Sequence, residues 1–202
     1  MTSIGIISLT KDIIVILAAI GTLIVARKGL ETWSREIKGK ADFEVTRNLS
    51  RSVYKLRDEI KKSRSPWVSS HEFPEGYNPM KKTSDLEAQA YSFIYSNRWK
   101  SVATALQNFE AQAFEAEALW GSGIKEKTDE FRQCARNLQV SFEADIQNRA
   151  NDGQDYKSDR EYGEIVRDAI WAIHDETNSL TLKIDSAISD IEKEIRPHSK
   201  RS

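Results

Sequence analysis

Four residues near the end of a predicted helix have the types and the spacing to bind phosphate. Arg57, Lys61 and Arg64 are separated by four and three residues, which places them on one helix face, and Trp67 follows directly. Guanidinium groups offer forked donors that match phosphate oxygens, and an exposed indole offers a surface on which a base can stack. We therefore expect this group to bind a phosphate-bearing ligand, either a nucleotide or a short oligonucleotide.

Three further cations belong to the same predicted site. Lys81 and Lys82 close the loop that follows Trp67, and Arg98 lies on the next helix beside Trp99. In a hairpin of the two helices, Arg98 would pack near the loop or some turns below it. The alternative is a solvated basic face on which Trp67 and Trp99 are ordinary core residues.

Catalytic and metal-binding patterns are not found elsewhere in the sequence. The three histidines are spread over a loop, a helix and the tail, and Cys134, the one cysteine, has no CxxC partner. The sequence also contains no Walker A loop, GxGxxG, GxSxG or HExxH motif. We expect no enzyme activity, no cofactor and no metal. A lone cysteine also fits a reducing compartment.

Long helices must position these residues. Glycines and prolines are few, charged residues make up 30 % of the chain, and apolar residues recur at spacings of three and four. The pattern predicts an all-α chain with helices ending near Ser63, Trp120 and Ala150, and a fourth helix from about Ser158 to Ile195. A capping box is expected at Ser84 with Glu87. Short connections between such helices indicate an elongated antiparallel bundle of about four long helices.

The N-terminal segment is apolar enough to predict a transmembrane helix. Residues 4–26 would extend about 34 Å as a helix, against about 30 Å for a hydrocarbon core. A signal peptide is disfavoured because no basic region precedes the apolar stretch and no small-x-small cleavage site follows it. A buried core helix remains the alternative. We assign residues 1–27 to the transmembrane helix and 28–202 to a helical-bundle domain with a flexible or binding loop at 65–83.

One face of this predicted span differs from the others, because its residues are nearly all small or polar. Such a face lets membrane helices approach closely, so we expect the span to self-associate and the chain to be a homo-oligomer. Asp12 either faces a protein interior or lies with Lys11 at the outer interface. The predicted self-association face consists of Gly5, Ser8, Asp12, Val15, Ala19, Thr22 and Ala26.

The distribution of charge predicts the orientation. Residues 27–64 contain twelve Lys and Arg against six Asp and Glu, whereas residues 84–202 contain fifteen against twenty-two. Basic residues next to a span favour the cytoplasmic side. We expect the N-terminus outside a bacterial inner membrane and the bundle in the cytoplasm.

This layout resembles the small single-span effectors of bacterial anti-phage defence systems, the Hailong type among them. The resemblance rests on the span at residues 4–26, the helical domain after it and the missing catalytic residues. It implies an oligomer of membrane helices, channel-like or membrane-disrupting, that is gated by a nucleotide signal at the cytoplasmic domain. A membrane-anchored scaffold that binds a partner protein through its bundle is the second hypothesis, and an enzyme with an unrecognised site is the third.

Overall fold

The computed structural model describes the backbone of residues 3–81, 83–173 and 176–199, and the side chains of these residues from Ile16 onward. The described chain is helical and contains no strand, so the all-α prediction is confirmed for it. Six α-helices follow one another: α1 Ser3–Ser63, α2 Ser84–Trp120, α3 Ser122–Ala150, α4 Gln154–Ser158, α5 Arg160–Ile170 and α6 Ser179–Ile195. Short 3₁₀ turns occupy Ser70–Glu72, Pro79–Lys81 and Arg196–Ser199.

Helix α1 has two parts with different surroundings. Its C-terminal part buries an apolar row against the bundle, from Val45 and Leu49 through Val53 and Leu56 to Ile60. Its described side chains from residue 16 to residue 38 are all exposed. We call residues 16–38 the arm. The helix ends before Pro66, as predicted, because proline disfavours a helical residue in front of it.

Helices α1, α2, α3 and α6 form an antiparallel bundle around one core, in which α2 contacts α1 and α3, and α6 packs on α3 and α1. The end of the bundle from which the arm emerges holds Trp120, at the C-terminus of α2, and His198. The opposite end, called the distal end below, holds Ser63, the loop 65–83 and the start of α2.

Two helix ends follow from local residue chemistry. Gly121 separates α2 from α3 with a positive φ of 85°, which glycine adopts without the steric cost of a Cβ. At the start of α2, Thr83 is the N-cap, and its side chain accepts a hydrogen bond from the Leu86 amide. The predicted Ser84 cap is therefore wrong by one residue: Ser84 is the first helical residue, and its hydroxyl donates to Asp152.

The predicted fourth helix is wrong. Helix α5 ends at Ile170, and α6 begins at Ser179 after Asn178 caps it through hydrogen bonds from the amides of Leu180 and Thr181. The apolar residues on both sides keep helical spacing across this gap, so periodicity alone predicts an uninterrupted helix. The physical reason for the break lies in Arg64, described next.

Candidate ligand site at the distal end

Arg64 is buried among backbone and side-chain oxygens rather than exposed to a ligand. Arg64 is only 2 % exposed. Its guanidinium donates hydrogen bonds to the carbonyls of Ala169 at 2.8 Å and Asp168 at 3.0 Å. It also donates to Thr181 Oγ1 at 2.8 Å and Asn178 Oδ1 at 2.5 Å.

These contacts give Arg64 a structural role. The last carbonyls of a helix have no partner within the helix and carry partial negative charge, so a cation there satisfies and stabilises them. Arg64 does this for α5 while also holding the N-cap of α6, and its own carbonyl accepts from the Ala172 amide. Its assignment to the ligand site is corrected accordingly: the guanidinium joins α1, α5 and α6.

Arg98 likewise serves the protein itself. Its side chain is 9 % exposed and forms an ion pair with Glu72, with Nε 2.7 Å from Oε2. It also donates to the carbonyls of Ser65 and Trp67, at 2.7 Å each. Hydrogen bonding to Arg98 lowers the pKa of Glu72 below its usual value. Of the two locations expected for Arg98, near the loop or some turns below it, the structure shows the first, and there Arg98 fastens the loop to α2.

The loop 65–83 is held by further contacts. Glu72 Oε1 accepts from the Ser69 amide at 2.9 Å, and the rings of Phe73 and Tyr77 stack with centroids 4.8 Å apart. Phe73 also packs edge-on against Tyr91 of α2. On this anchored loop Trp67 remains 82 % exposed, so its indole is available to a ligand or partner.

Arg57 and Lys61 line a surface cleft between α1 and α6. The cleft has a volume of about 350 Å³, and it is also lined by Ile60, Arg64, Thr181, Ile184 and two carboxylates. The carboxylates belong to Asp58 and Asp185. Arg57 pairs with Asp58 at 2.8 Å and lies over the ring of Tyr54, while the Lys61 side chain is exposed. The cleft therefore brings three of the predicted cations together but is mixed in charge.

Of the two lysines of the loop, the structure describes one. Lys81 is exposed at the end of the 3₁₀ turn Pro79–Lys81. Lys82 lies outside the described residues. The structure thus leaves Arg57, Lys61, Trp67 and Lys81 on the surface of the distal end.

The predicted self-association face is described only in its second half. Ala19, Thr22 and Ala26 are exposed on the arm, and Thr22 Oγ1 donates to the carbonyl of Ala18 at 2.9 Å. The side chains of Gly5, Ser8, Asp12 and Val15, like the rest of residues 4–15, lie outside the described part. Among the described residues, no helix offers an apolar stretch long enough to cross a membrane.

A buried polar cluster between α2 and α3 was missed from the sequence. Asp145 accepts hydrogen bonds from Tyr95 Oη at 2.8 Å and Arg149 Nε at 2.7 Å, and Arg149 also pairs with Glu87 at 2.7 Å. Burial, together with Asp145, raises the pKa of Tyr95, so its hydroxyl stays a donor. The spacing of Asp145 and Arg149, four residues on one helix, was the available signal. Since its donors and acceptors satisfy one another, the cluster stabilises the bundle.

A groove beside α5 was also missed. It has a volume of about 280 Å³ and lies between α3, α5 and α6. Val140, Tyr162 and Ile165 expose apolar surface along it, and Arg136 and Lys183 contribute positive charge. No local sequence signal indicates it, because its walls come from three helices.

No group of histidine, cysteine and carboxylate side chains suited to a metal ion occurs within the described ranges.

Comparison of the chain with protein-family models, curated proteins and solved structures finds no match.

Proposed function

We propose that this chain is a single-pass membrane effector that self-associates through its N-terminal helix and is gated at its cytoplasmic bundle. The observation that carries the proposal is the arm. Ile16, Leu17, Leu23 and Val25 are all more than half exposed, and they extend the apolar sequence that begins at Ile4. Large apolar side chains at this density on a helix outside the core are stable when lipid or another protein surface covers them.

The basic residues after the arm's apolar part support an orientation. Arg27 and Lys28 follow it at once, and Arg35 lies two turns further on. Such residues concentrate on the cytoplasmic side of a bacterial inner membrane. The N-terminus is then outside and the bundle inside. Single cysteines at Ser3 and at Ser202, in a Cys134→Ser background, test this topology. An impermeant thiol reagent should label Ser3→Cys in intact cells, and labelling of Ser202→Cys instead would reverse the assignment.

Self-association is proposed through the face that contains Ser8, Ala19, Thr22 and Ala26. Small residues let helices approach closely, and a larger side chain there would separate them. Ala19→Leu should lower the mass of the purified full chain in detergent, measured by light scattering. Ile20→Leu, a change on the lipid side, is the matched control and should leave the mass unchanged. A monomeric parent chain would remove the effector proposal.

The gating ligand is proposed to be a phosphate-bearing molecule, a nucleotide or a short oligonucleotide, at Arg57, Lys61, Trp67, Lys81 and Lys82. The cleft that contains Arg57 and Lys61 supports this, as does the exposure of Trp67. Arg64 would act indirectly, by fixing the cleft's shape.

Titration of the full chain with nucleotides and short single strands at two salt concentrations tests the ligand. Binding driven by phosphate contacts should weaken as salt rises. Arg57→Ala with Lys61→Ala should abolish it, whereas Arg51→Ala, an exposed arginine outside the cleft, should not. Binding that survives the double substitution would place the ligand elsewhere.

Membrane disruption is the proposed output, in the setting of anti-phage defence. The full chain reconstituted in dye-loaded vesicles should release dye, and Ala19→Leu should suppress the release. Vesicles that stay sealed with an oligomeric chain inserted would remove this output.

The groove beside α5 favours a second function, a membrane-anchored scaffold that binds a partner protein. Its exposed apolar wall with Arg136 and Lys183 suits an acidic amphipathic helix of a partner. Replacing residues 4–26 with an unrelated apolar helix separates the two functions. A scaffold should keep its activity after the exchange, whereas the effector should lose it.

A further inference from the structure

An apolar stripe continues along α1 beyond the proposed span. Leu30, Trp33 and Ile37 are 64 %, 62 % and 48 % exposed, respectively. They follow Ala26 at steps of four, three and four residues, and Ala19 and Thr22 precede it at similar steps. Because these steps average about 3.6 residues, the period of a straight α-helix, all six residues lie on one face.

The surroundings of this stripe are aqueous. Arg27 pairs with Glu31 and Lys40 pairs with Glu36, each at 3.0 Å, and both pairs are exposed. Lys28, Arg35 and Lys38 add further charge around the helix. A stretch with this many ionised groups is costly to place in lipid, so the hydrocarbon core does not cover the stripe along its length.

The described part of the chain's own bundle does not cover it either. The bundle-facing row of α1 begins at Val45 and continues through Leu49 and Leu56. At about 100° per residue, that row lies roughly a third of a turn away from the stripe. Beyond Ile37 the stripe's own face carries Ala41 and Glu44, followed by Asn48, Arg51 and Lys55, so the apolar surface ends where the bundle begins.

We propose that Leu30, Trp33 and Ile37 form a parallel stalk between copies of this chain. The stalk rests on the proposed self-association, since it extends the same helix face from the membrane into water. The change in residue size along that face fits the change of solvent. In lipid, close packing of small residues drives association, whereas in water the burial of large apolar side chains drives it.

Charge along the two flanks of the stripe supports a second copy as the occupant. One flank carries Glu36 and Lys40, and the other carries Arg27, Glu31 and Lys38. Each flank thus has both signs, and parallel neighbours can set opposite charges against each other, as in coiled coils. The contact between copies through Leu30, Trp33 and Ile37 is called the seam. Each bundle would then lie outside the stalk, on the side of its own α1 that is a third of a turn from the seam.

Cysteine crosslinking of the full chain in detergent tests the stalk. Leu30→Cys and Ile37→Cys, each in a Cys134→Ser background, place thiols on the seam. Thr32→Cys and Arg35→Cys place them on the opposite side of the same helix. A disulfide needs Cα atoms within about 7 Å, so oxidation should yield covalent dimers at least about five times faster at the seam positions.

The outcomes separate the stalk from the function on which it rests. Equal crosslinking at all four positions, or none at positions 30 and 37 while light scattering shows an oligomer, overturns the stalk and leaves self-association through the span. A chain that is monomeric in the same detergent overturns both. Crosslinking between copies at the seam positions alone also excludes the two alternatives, that lipid covers Trp33 at the membrane surface or that a different protein covers the stripe.

Discussion

Arg64 at the end of α1 donates through Nη2 to Oδ1 of Asn178, the N-cap of α6, at 2.5 Å. The same Oδ1 accepts the amides of Leu180 and Thr181 at 3.1 Å each. Oδ1 of Asn178 thus caps the N-terminus of α6 and also binds the guanidinium of Arg64, which lies more than a hundred residues earlier in the sequence. This pair fixes the break that separates α5 from α6.

Replacing Arg64 should destabilise the whole bundle. Arg64→Leu removes the donors to the carbonyls of Asp168 and Ala169. The Asp168 carbonyl keeps the hydrogen bond from Asn178 Nδ2, whereas the Ala169 carbonyl loses its side-chain donor. The loss should be about 3 kcal/mol in the free energy of unfolding, since each buried unsatisfied group costs about 1–3 kcal/mol. Urea unfolding followed by circular dichroism measures it. Arg57→Leu, at an exposed ion pair, is the control and should change stability by less than about 1 kcal/mol. Equal small effects would contradict the structural role of Arg64.

Asn178 should be less tolerant of alanine than of aspartate. Asn178→Ala removes the N-cap acceptor and should cost about 1–2 kcal/mol. Asn178→Asp keeps an acceptor for the α6 amides and for Arg64, though it loses the bond from Nδ2 to the Asp168 carbonyl. A double-mutant cycle that combines Asn178→Ala with Arg64→Leu should show a coupling free energy above about 0.5 kcal/mol between the two side chains. Additive losses would mean that the two side chains act independently.

The Arg98–Glu72 pair should make the loop sensitive to acid. The pKa of Glu72 is lowered in the folded chain, so its contribution to stability is complete above the ordinary glutamate pKa and is lost as pH falls through the lowered value. The protection of the amides of residues 65–77, measured as their hydrogen-exchange rate relative to an unstructured peptide at the same pH, should therefore fall at acid pH. Glu72→Gln should produce faster exchange at neutral pH and remove this pH dependence. Exchange that is unchanged in Glu72→Gln would mean that the aromatic contacts hold the loop alone.

Cys134 should resist thiol reagents while the bundle is folded. It is buried, and burial raises its pKa to about 11, so little thiolate forms at neutral pH. Labelling with a maleimide should be slow in native buffer and complete in denaturant. A Ser101→Cys variant in the Cys134→Ser background, at an exposed position of α2, should label rapidly under both conditions. Rapid native labelling of Cys134 would indicate local opening of α3.

The sequence predicted those features of the fold that depend on neighbouring residues. Pro66 and Gly121 act on the backbone within a residue or two, and the corresponding helix ends are where they were expected. The gap before Asn178 was missed because Arg64, far away in sequence, supplies the donors that end α5. For the same reason the basic cluster was misassigned in part. Spacing indicates that Arg57, Lys61 and Arg64 share a face, but whether that face meets water or carbonyl groups depends on helices that follow.

Trp120 links the turn Arg196–Ser199 to helix α1. Its indole donates to Asp42 at 3.0 Å and stacks on His198 with ring centroids 4.3 Å apart. The turn Arg196–Ser199 therefore packs against the base of the arm, on the opposite end of the bundle from Trp67. A fluorophore attached at the exposed Ser199 would lie beside the helix that leads to the proposed membrane span. Such a label would report movements of the arm's base, and an added domain there would crowd the stalk while leaving the distal loop open.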